Sequence, residues 1–354
     1  MKLQRLTLTG FRNFSGASVT FGPCLNWIIG SNGSGKTSIL EAIHFLASGH
    51  SFRRGGTDSL RKAEEEETIL FGQVVNGSEQ RIGIRLSSSG REIRHNGEVV
   101  RGFGSVAGIL KTVHFIPESH RLADGGPRER RRFMDWGLFH VEPSYLALAR
   151  RYTRALQQRN RWLRKVPEGP DPWQEELART GEAVADRRGE YVARLEPWAE
   201  QIYPQIGGFG LLGLELRRGW GSGQDLASAL ARDRARDRPG TGVGPHRGDL
   251  RLTLDGMPVQ ERASRGQQKL VVLALRLAQL ALAQVETGDA PLFLLDDLGS
   301  ELDEERRQAV FGLLEDYGEQ IFVTATDPSV LPPTQGNLGT VAFHLQSGSI
   351  ERSD

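Results

Sequence analysis

The sequence predicts an α/β fold, and three features of its 354 residues carry that prediction. A short apolar strand ends near residue 29 and is followed by the glycine loop GSNGSGKTS and an amphipathic helix that stops at Gly49. A second apolar run, LFLL at 292–295, has the length of a buried strand and ends in two aspartates. From about residue 121 the pattern changes to long segments of helical period, which predicts a helical insertion.

The bulk composition suits a globular protein without a covalent or membrane framework. Hydrophobic residues make up 38% and charged residues 25% of the chain. The single cysteine, Cys24, excludes an internal disulfide and a multi-cysteine zinc site. The sequence holds no uninterrupted apolar run of membrane-spanning length and no signal peptide, so we expect a cytoplasmic protein with no membrane partner.

The glycine loop, Gly30 to Ser38, lies between a strand and a helix, as a nucleotide-binding P-loop requires. Its backbone N–H groups and the helix N-terminus favour phosphate binding. Lys36 can reach the β- and γ-phosphates, and the Thr37 hydroxyl can hold Mg²⁺. The alternative is an ordinary glycine turn before a helix.

The aspartates after the second strand complete the expected nucleotide site. Asp296, at the strand end, is placed to hold the magnesium ion, directly or through water. Asp297 follows where a general base for the attacking water would sit. Because aspartate is one methylene shorter than glutamate, we expect a poor base and slow turnover.

The segment SRGQQK at 264–269 predicts the start of a buried helix, because residues 267–284 are apolar almost all round. Ser264 and Gly266 at a helix N-terminus form a possible second anion site. Two chains arranged head to tail could bring this site to the phosphate of a partner's P-loop. The alternative is an ordinary capped core helix.

These motifs resemble those of a known family. SRGQQK resembles the signature motif of ABC-type ATPases in the Rad50/SMC branch, and GSELD at 299–303 resembles the D-loop of that branch. More narrowly, the chain resembles the RecF family of bacterial recombination and repair proteins along nearly its whole length. The motifs that carry this narrower resemblance include LTGFRNF, SFR, FIPES, GPRERRRFMDWGLFH, RYTRALQQRN, TGVGPHRGDL and LLDDLGSELDEERR.

The resemblance implies an ABC-ATPase head, with a P-loop mixed sheet and a small antiparallel β meander, plus an inserted helical arm. We assign 1–120 to the N-terminal part of the head, 121–238 to the arm and 239–354 to the C-terminal part of the head. Asn-Gly turn signals between 68 and 100 favour the meander independently.

The resemblance also implies a function. Members of the family bind ATP, Mg²⁺ and DNA, form an ATP-dependent homodimer, and act with RecO and RecR to promote RecA loading at gaps covered by single-strand-binding protein. A slow, DNA-stimulated ATP hydrolysis is expected. The alternatives are an ATP-binding scaffold with little turnover and a transporter ATPase subunit, which usually carries an LSGGQ-like signature and a switch histidine.

The resemblance assigns site residues one by one. The residues expected to wrap the phosphates are Gly30, Asn32, Gly33, Ser34, Gly35, Lys36, Thr37 and Ser38. Ser264, Gly266 and Gln267 are expected to reach the partner's ATP, and Asp303 to lie at the dimer seam. Arg12 and Asn13 are expected to approach the nucleotide, the alternative being an exposed loop.

Two positions depart from the wider ABC pattern. Glu118 is the best occupant of the glutamine-loop position, and we include it among the catalytic candidates with Lys36 and Asp297. Thr326 stands where a switch histidine would follow the strand QIFVTATD. A threonine cannot act as an imidazole does, so the γ-phosphate sensor is expected to be weak or different.

The arm is the best candidate for a DNA footprint although the whole chain has a net charge of only +1. Residues 121–165 hold twelve basic and four acidic residues. The DNA candidates are Arg53, Arg54, Arg128, Arg131 and Arg132, the alternative being a solvated helical face. For GPHRGDL at 244–250 we infer no chemistry and expect a hydrogen-bonded turn that enters a strand.

Overall fold

The computed structural model of the chain has the predicted α/β architecture, and it describes residues 1–53, 55–165, 169–234, 240–297, 299, 302–330, 339–346 and 348–353. It divides into two compact units. The first unit combines Met1–Ser119 with Gln279–Asp354, and the second is His120–Ala278.

Strands dominate the first part of the chain and helices the middle. The strands are β1 Lys2–Phe11, β2 Phe14–Thr20, β3 Leu25–Gly30, β4 Glu67–Asn76, β5 Ser78–Ser87, β6 Gly90–His95, β7 Glu98–Val99, β8 Thr112–Phe115, β9 Leu212–Arg217, β10 Asp249–Leu254, β11 Met257–Pro258, β12 Leu292–Leu295, β13 Ile321–Ala325, β14 Thr340–Gln346 and β15 Ser349–Ser353. The helices are α1 Lys36–Ser48, α2 Arg121–Asp124, α3 Pro127–Val141, α4 Tyr145–Lys165, α5 Gln174–Gln205, α6 Leu226–Arg234, α7 Val259–Arg262, α8 Arg265–Thr287 and α9 Glu304–Tyr317.

The central sheet of the first unit has the order β15-β14-β3-β13-β12-β8. Its strands are parallel apart from β15, which pairs antiparallel with β14. Because β13 lies between β3 and β12, the glycine loop after β3 and the aspartates after β12 emerge at the same edge of the sheet, one strand apart. The apolar run predicted as a strand at 292–295 is confirmed, and its four residues have no solvent exposure.

Helix α1 lies between two sheets, since it contacts β4 and β5 on one side and β3, β8 and β13 on the other. The sequence predicted an amphipathic helix here, which is wrong in one respect. Nearly every residue of α1 is buried, including the polar side chains of Glu41 and His44. The helix ends as predicted at Gly49, whose φ of +70° is available to glycine without strain.

The predicted antiparallel meander is confirmed. Strands β4 to β7 follow one another in an antiparallel sheet, which β1 and β2 extend in the order β2-β1-β4-β5-β6-β7. The two predicted Asn-Gly turns join successive strands. Asn96 and Gly97 both have positive φ, at 50° and 91°, as a tight hairpin turn of the mirror-image type requires.

The second unit contains the predicted helices, but it is not purely helical. Strand β9 pairs antiparallel with β10, and β10 pairs with β11. Residues 240–278 belong to the second unit, whereas the sequence analysis assigned 239–354 to the head. The physical reason is that the backbone groups of β9 need ladder partners, and β10 supplies them from beyond the predicted boundary.

Helix α8 is buried, as its all-round apolar pattern predicted. Its residues Val271 to Leu275 have no measurable exposure. By length and mean hydropathy α8 also meets the criteria for a membrane-spanning helix, although polar residues interrupt its apolar run. Of that stretch, 72% is buried inside the protein, so its apolar surface is used in packing within the chain.

The GPHRGDL segment forms the predicted hydrogen-bonded turn before β10. His246 Nε2 lies 3.0 Å from the Thr241 carbonyl, and His246 Nδ1 lies 2.6 Å from the Tyr152 hydroxyl. Since a carbonyl only accepts, Nε2 carries the proton and Nδ1 accepts from Tyr152. Burial lowers the pKa of His246, which keeps this neutral form.

Arginines from neighbouring helices hold this turn in place. Arg130 of α3 makes a two-bond ion pair with Asp249, with distances of 2.7 and 2.9 Å. Arg188 of α5 donates to the Pro245 carbonyl at 2.7 Å and pairs with Asp135. Arg130 is thus used in an internal ion pair within this arginine-rich stretch.

Candidate functional site

The glycine loop is shaped for close approach of phosphate. Gly35, directly before α1, has a φ of +112°, and a Cβ placed there would lie 2.6 Å from Asn13 Nδ2. Asn13 closes over the loop and donates to the Ser34 carbonyl at 3.0 Å. Lys36 Nζ donates to the carbonyls of Gly30 and Ser31, at 2.7 and 3.0 Å. The ammonium group of Lys36 is therefore held by carbonyl groups at the start of its own loop.

The two aspartates are fixed by threonines on either side. The Thr37 hydroxyl contacts both carboxylate oxygens of Asp296, at 3.1 and 2.9 Å. The Thr324 hydroxyl donates to Asp296 Oδ1 at 2.6 Å and accepts from the Asp297 N–H at 2.8 Å. Thr324 lies on β13, between the strands that carry the loop and the aspartates. The site is thus connected across three strands through contacts of the protein itself.

The electrostatics of the site reflect burial. Burial raises the pKa of Asp296, while hydrogen bonds from Thr324 and Thr37 act in the opposite direction. Burial also lowers the pKa of Lys36, against the attraction of Asp297 and Asp296. A cation beside Asp296 and an anion beside Lys36 would each offset this desolvation cost, as a magnesium–nucleotide complex does.

These residues line one cavity of about 520 Å³. Sequence-predicted residues form most of its wall, namely Arg12, Asn13, Asn32, Gly33, Gly35, Lys36, Thr37, Ser38, Asp296 and Asp297. Four further residues complete the wall: Arg53, Ser59, Arg61 and Pro117. The cavity combines three arginines and a lysine with two aspartates, a charge pattern suited to a polyphosphate and its divalent cation.

The donor set fits this ligand. The predicted phosphate ligands Gly30 and Ser34 do not line the cavity, and the buried Ser34 hydroxyl has no hydrogen-bond partner among the described residues. Thr37 and Asp296 present hard oxygen ligands side by side, and Mg²⁺ takes one or two such protein ligands together with phosphate oxygens and water.

A buried carboxylate, Glu41, organises the arginine side of the cavity. Arg12 binds both oxygens of Glu41, at 2.8 and 2.5 Å, and donates to the Ser59 carbonyl at 2.6 Å. Ser51 also donates to Glu41, and Arg53 lies 3.6 Å from it. Arg12 is therefore a fixed wall residue rather than part of an exposed loop, and Arg53, predicted to contact DNA, lines this same cavity.

Sequence reasoning missed both Thr324 and Glu41. Thr324 sits within the strand IFVTA, where a threonine is unremarkable. Glu41 interrupts the apolar run of α1, and a fully buried acid in such a run was the signal that a cationic partner should be sought.

Three other positions discussed from the sequence, Glu118, Thr326 and Asp303, do not line the cavity. Among the described residues, the cavity wall includes Pro117 but not its neighbour Glu118. Thr326, one residue past the end of β13, is exposed. Asp303 is the N-cap of α9, where it accepts from the Arg306 N–H at 3.0 Å. Its proposed place at a dimer seam stays a prediction.

The signature segment begins α8 with a reciprocal capping box. The Ser264 N–H donates to Gln267 Oε1 at 2.9 Å, and the Gln267 N–H donates to Ser264 Oγ at 3.3 Å. Ser264 and Gly266 are exposed, so this helix end is open to a partner molecule. Its contact with a partner's ATP stays a prediction.

The basic residues proposed for DNA have varied environments. Arg128 is exposed, and Arg132 is exposed beside Glu129 at 3.6 Å. Arg131 donates to the Gly248 carbonyl at 2.7 Å and so has a structural use. Arg54 lies outside the described residues.

Comparison with known proteins gives consistent matches over the whole chain. A family model described as the RecF/RecN/SMC N-terminal domain matches residues 2–346. The DNA replication and repair protein RecF of Pseudomonas paraeruginosa strain PA7 is 39% identical over 362 residues, covering 100% of this chain and 98% of the relative. The protein of the same description from Shewanella loihica is 38% identical, with 99% of each chain covered.

Solved structures agree with these matches. The structure of the recombination mediator protein RecF with ATP, in the RecFOR pathway, has a TM-score of 0.87 and 27% identity, covering 99% of this chain and 97% of that one. An SMC head bound to the C-terminal winged-helix domain of ScpA has a TM-score of 0.60 at 16% identity, covering 100% of this chain and 97% of that one. The SMC likeness shows a shared fold alone.

Proposed function

Because the chain belongs to the RecF family of DNA replication and repair proteins, within the wider RecF/RecN/SMC group, we propose that it is an ATP-dependent DNA-binding recombination mediator. ATP closes two copies into a dimer that binds duplex or gapped DNA. With RecO and RecR, this dimer promotes RecA loading at gaps covered by single-strand-binding protein, and slow DNA-stimulated hydrolysis releases it.

One observation carries the ATPase assignment. Thr37 of the glycine loop and Asp296, directly after β12, are in contact at 2.9 Å, and Thr324 joins Asp296 to Asp297. P-loop ATPases hold magnesium with a P-loop threonine that lies beside an acid at the end of another strand of the same sheet.

In this proposal, different residues bind phosphate, hold magnesium and activate water. Lys36 and the loop N–H groups bind phosphate, while Arg12, held by Glu41, adds positive charge to the wall. Thr37 and Asp296 would hold Mg²⁺, which when bound supplies charge neutralisation for the β- and γ-phosphates. Asp297 orients the attacking water and accepts its proton. Its backbone has a φ of +53°, a conformation that aspartate tolerates, and Thr324 fixes it there.

The exposed end of the signature helix supports the proposed dimer. An open helix N-terminus with a serine and a glycine favours an anion, and in the proposed dimer that anion is the partner's ATP. ATP binding and dimer formation are therefore coupled, so that nucleotide occupancy controls the DNA-binding surface.

The test compares ATP turnover and mass for wild type, Lys36→Arg and Asp297→Asn, with and without gapped duplex DNA. We expect slow wild-type turnover that DNA accelerates, loss of ATP binding in Lys36→Arg, and an ATP-bound dimer that persists in Asp297→Asn. If Asp297→Asn changes neither turnover nor dimer lifetime, Asp297 is not the base. The protein is then an ATP-held scaffold that recruits partners without appreciable hydrolysis.

A further inference from the structure

Helix α4 has two faces of opposite character. It has 21 residues, of which seven are basic and none is acidic. Its buried residues Tyr145, Tyr152, Ala155 and Arg159 lie on one face, which packs on α5 and α3. At 100° per residue, Arg150, Arg154, Arg161 and Lys165 project from the opposite face. We call these four residues the α4 basic stripe.

The stripe residues are distinguished from the other arginines of α4 by their lack of internal partners. All four are exposed, and among the described residues none of them makes a hydrogen bond or ion pair. In contrast, Arg151 is paired with Glu176. Arg159, fully buried, bonds to Asp171, Thr241 and the Leu230 carbonyl. Among the described residues, Arg151 and Arg159 are thus paired with acids, while the four stripe residues have no paired acid.

The shape and chemistry of the stripe favour a nucleic-acid backbone. From residue 150 to residue 165 it extends about 22 Å along the helix axis at 1.5 Å per residue. Duplex DNA presents one negative charge about every 1.7 Å of its axis, so a row of this length meets phosphates in any register. Arginine in particular binds phosphate through two bonds.

A protein partner fits less well. Interfaces between proteins depend on apolar or aromatic anchors at their centre. The fifth position on this face is Gln157, so the row offers no apolar anchor along its length. An acidic protein surface would also need carboxylates at matching intervals, a condition that a phosphate backbone meets without sequence specificity.

We propose that the α4 basic stripe, Arg150, Arg154, Arg161 and Lys165, binds the phosphate backbone of duplex DNA. The proposal rests on the proposed DNA-binding function and assigns that function a surface. It differs from the DNA candidates predicted from the sequence, because Arg131 bonds to a carbonyl within the protein and Arg53 lies in the nucleotide cavity.

The test uses the full-length chain with ATP, a 30-base-pair duplex and a salt series. The stripe variant is Arg150→Gln/Arg154→Gln/Arg161→Gln. The matched control is Arg151→Gln/Arg179→Gln/Arg187→Gln, which removes the same charge from the same unit at arginines that are already ion-paired. A third variant replaces the same three stripe arginines by lysine.

We expect the stripe variant to bind duplex at least tenfold more weakly at about 0.1 M salt, and its salt slope to fall by about 3, close to 0.9 per lost phosphate contact. The control should change the Kd less than about twofold, since exposed charges at a distance are screened at this salt concentration. The lysine variant should retain the wild-type slope. Thermal unfolding checks that the variants fold.

The outcomes separate this inference from the proposed function. If wild type with ATP binds no duplex at any salt concentration, the DNA-binding function itself is wrong and the stripe assignment falls with it. If wild type binds and the stripe and control variants behave alike, the function stands and the stripe is a solvated helical face.

Discussion

The Thr324 hydroxyl donates to Asp296 Oδ1 at 2.6 Å. The same hydroxyl accepts from the N–H of Asp297. The Thr324 side chain, on β13, therefore orients the Asp296 carboxylate, which is proposed to hold magnesium. It also fixes the backbone of Asp297, which is proposed to act as the base. Because a hydroxyl has a single proton, both of its bonds have a defined direction, and Thr324 therefore links the two aspartates.

Thr324→Val should lower both the stability of the protein and its ATP turnover. It keeps the shape of the side chain but leaves the Asp297 N–H without its partner, which lowers the free energy of unfolding by about 1–3 kcal/mol. Turnover should fall at least tenfold, because Asp297 loses its position. Urea denaturation and steady-state ATP hydrolysis measure the two effects. Thr324→Ser, which keeps the hydroxyl, should retain both properties, and equal defects in serine and valine variants would contradict this role.

Glu41→Gln should destabilise the protein and weaken ATP binding together. The Glu41 side chain has no solvent exposure, and the substitution removes the negative charge that pairs with Arg12 and Arg53. Because the two arginines left behind are partly exposed, the loss is that of charge-assisted hydrogen bonds, about 1.5–3 kcal/mol. The control is Glu79→Gln, which breaks an exposed pair with Arg81 and should leave unfolding unchanged. Weakened ATP affinity at unchanged stability in Glu41→Gln, or the reverse, would separate the two roles that we assign to one carboxylate.

Gly35→Ala should weaken ATP binding at least tenfold. The added Cβ would lie 2.6 Å from Asn13 Nδ2, and alanine at a φ of +112° is strained by about 1–3 kcal/mol. Gly312→Ala is the matched control, because it lies inside α9 with no atom within 4 Å of a new Cβ. That change should stabilise the helix by about 0.5–1 kcal/mol. Isothermal titration with ATP and thermal unfolding report the two results, and normal ATP affinity in Gly35→Ala would refute the close approach.

His246 should make the protein less stable as the pH falls below about 6.5. Its folded pKa is lowered from 6.5 by burial, so the unfolded chain binds the proton more readily. Stability is therefore complete above the unfolded pKa and is lost as the pH falls toward the folded pKa. His246→Gln cannot titrate, and its melting temperature should depend less on pH between about 7.5 and 5.5 than that of wild type. Parallel curves for the two proteins would show that His246 does not contribute.

Local patterns predicted the elements that build the site, while its long-range partners were not predictable. The strand and glycine loop around Lys36, and the buried strand before Asp296, have short, distinct signatures. Thr324 has no such signature, because its role depends on β13 lying between β3 and β12. Glu41 finds Arg12 across 29 residues of chain. The β9–β10 pair was missed for the same reason, since a long stretch of chain separates the two strands.

The arginines around the GPHRGDL turn limit which substitutions the sequence can accept during evolution. Arg130, Arg159 and Arg188 each make several directed bonds from buried or nearly buried guanidinium groups. A lysine carries the same charge but cannot reproduce a planar fork, so an exchange that is neutral on the surface is costly here. We expect relatives from lysine-rich proteomes to keep arginine at these three positions while they replace it freely elsewhere in the arm. At these positions the choice of arginine over lysine therefore reflects the packing of the arm and not its charge.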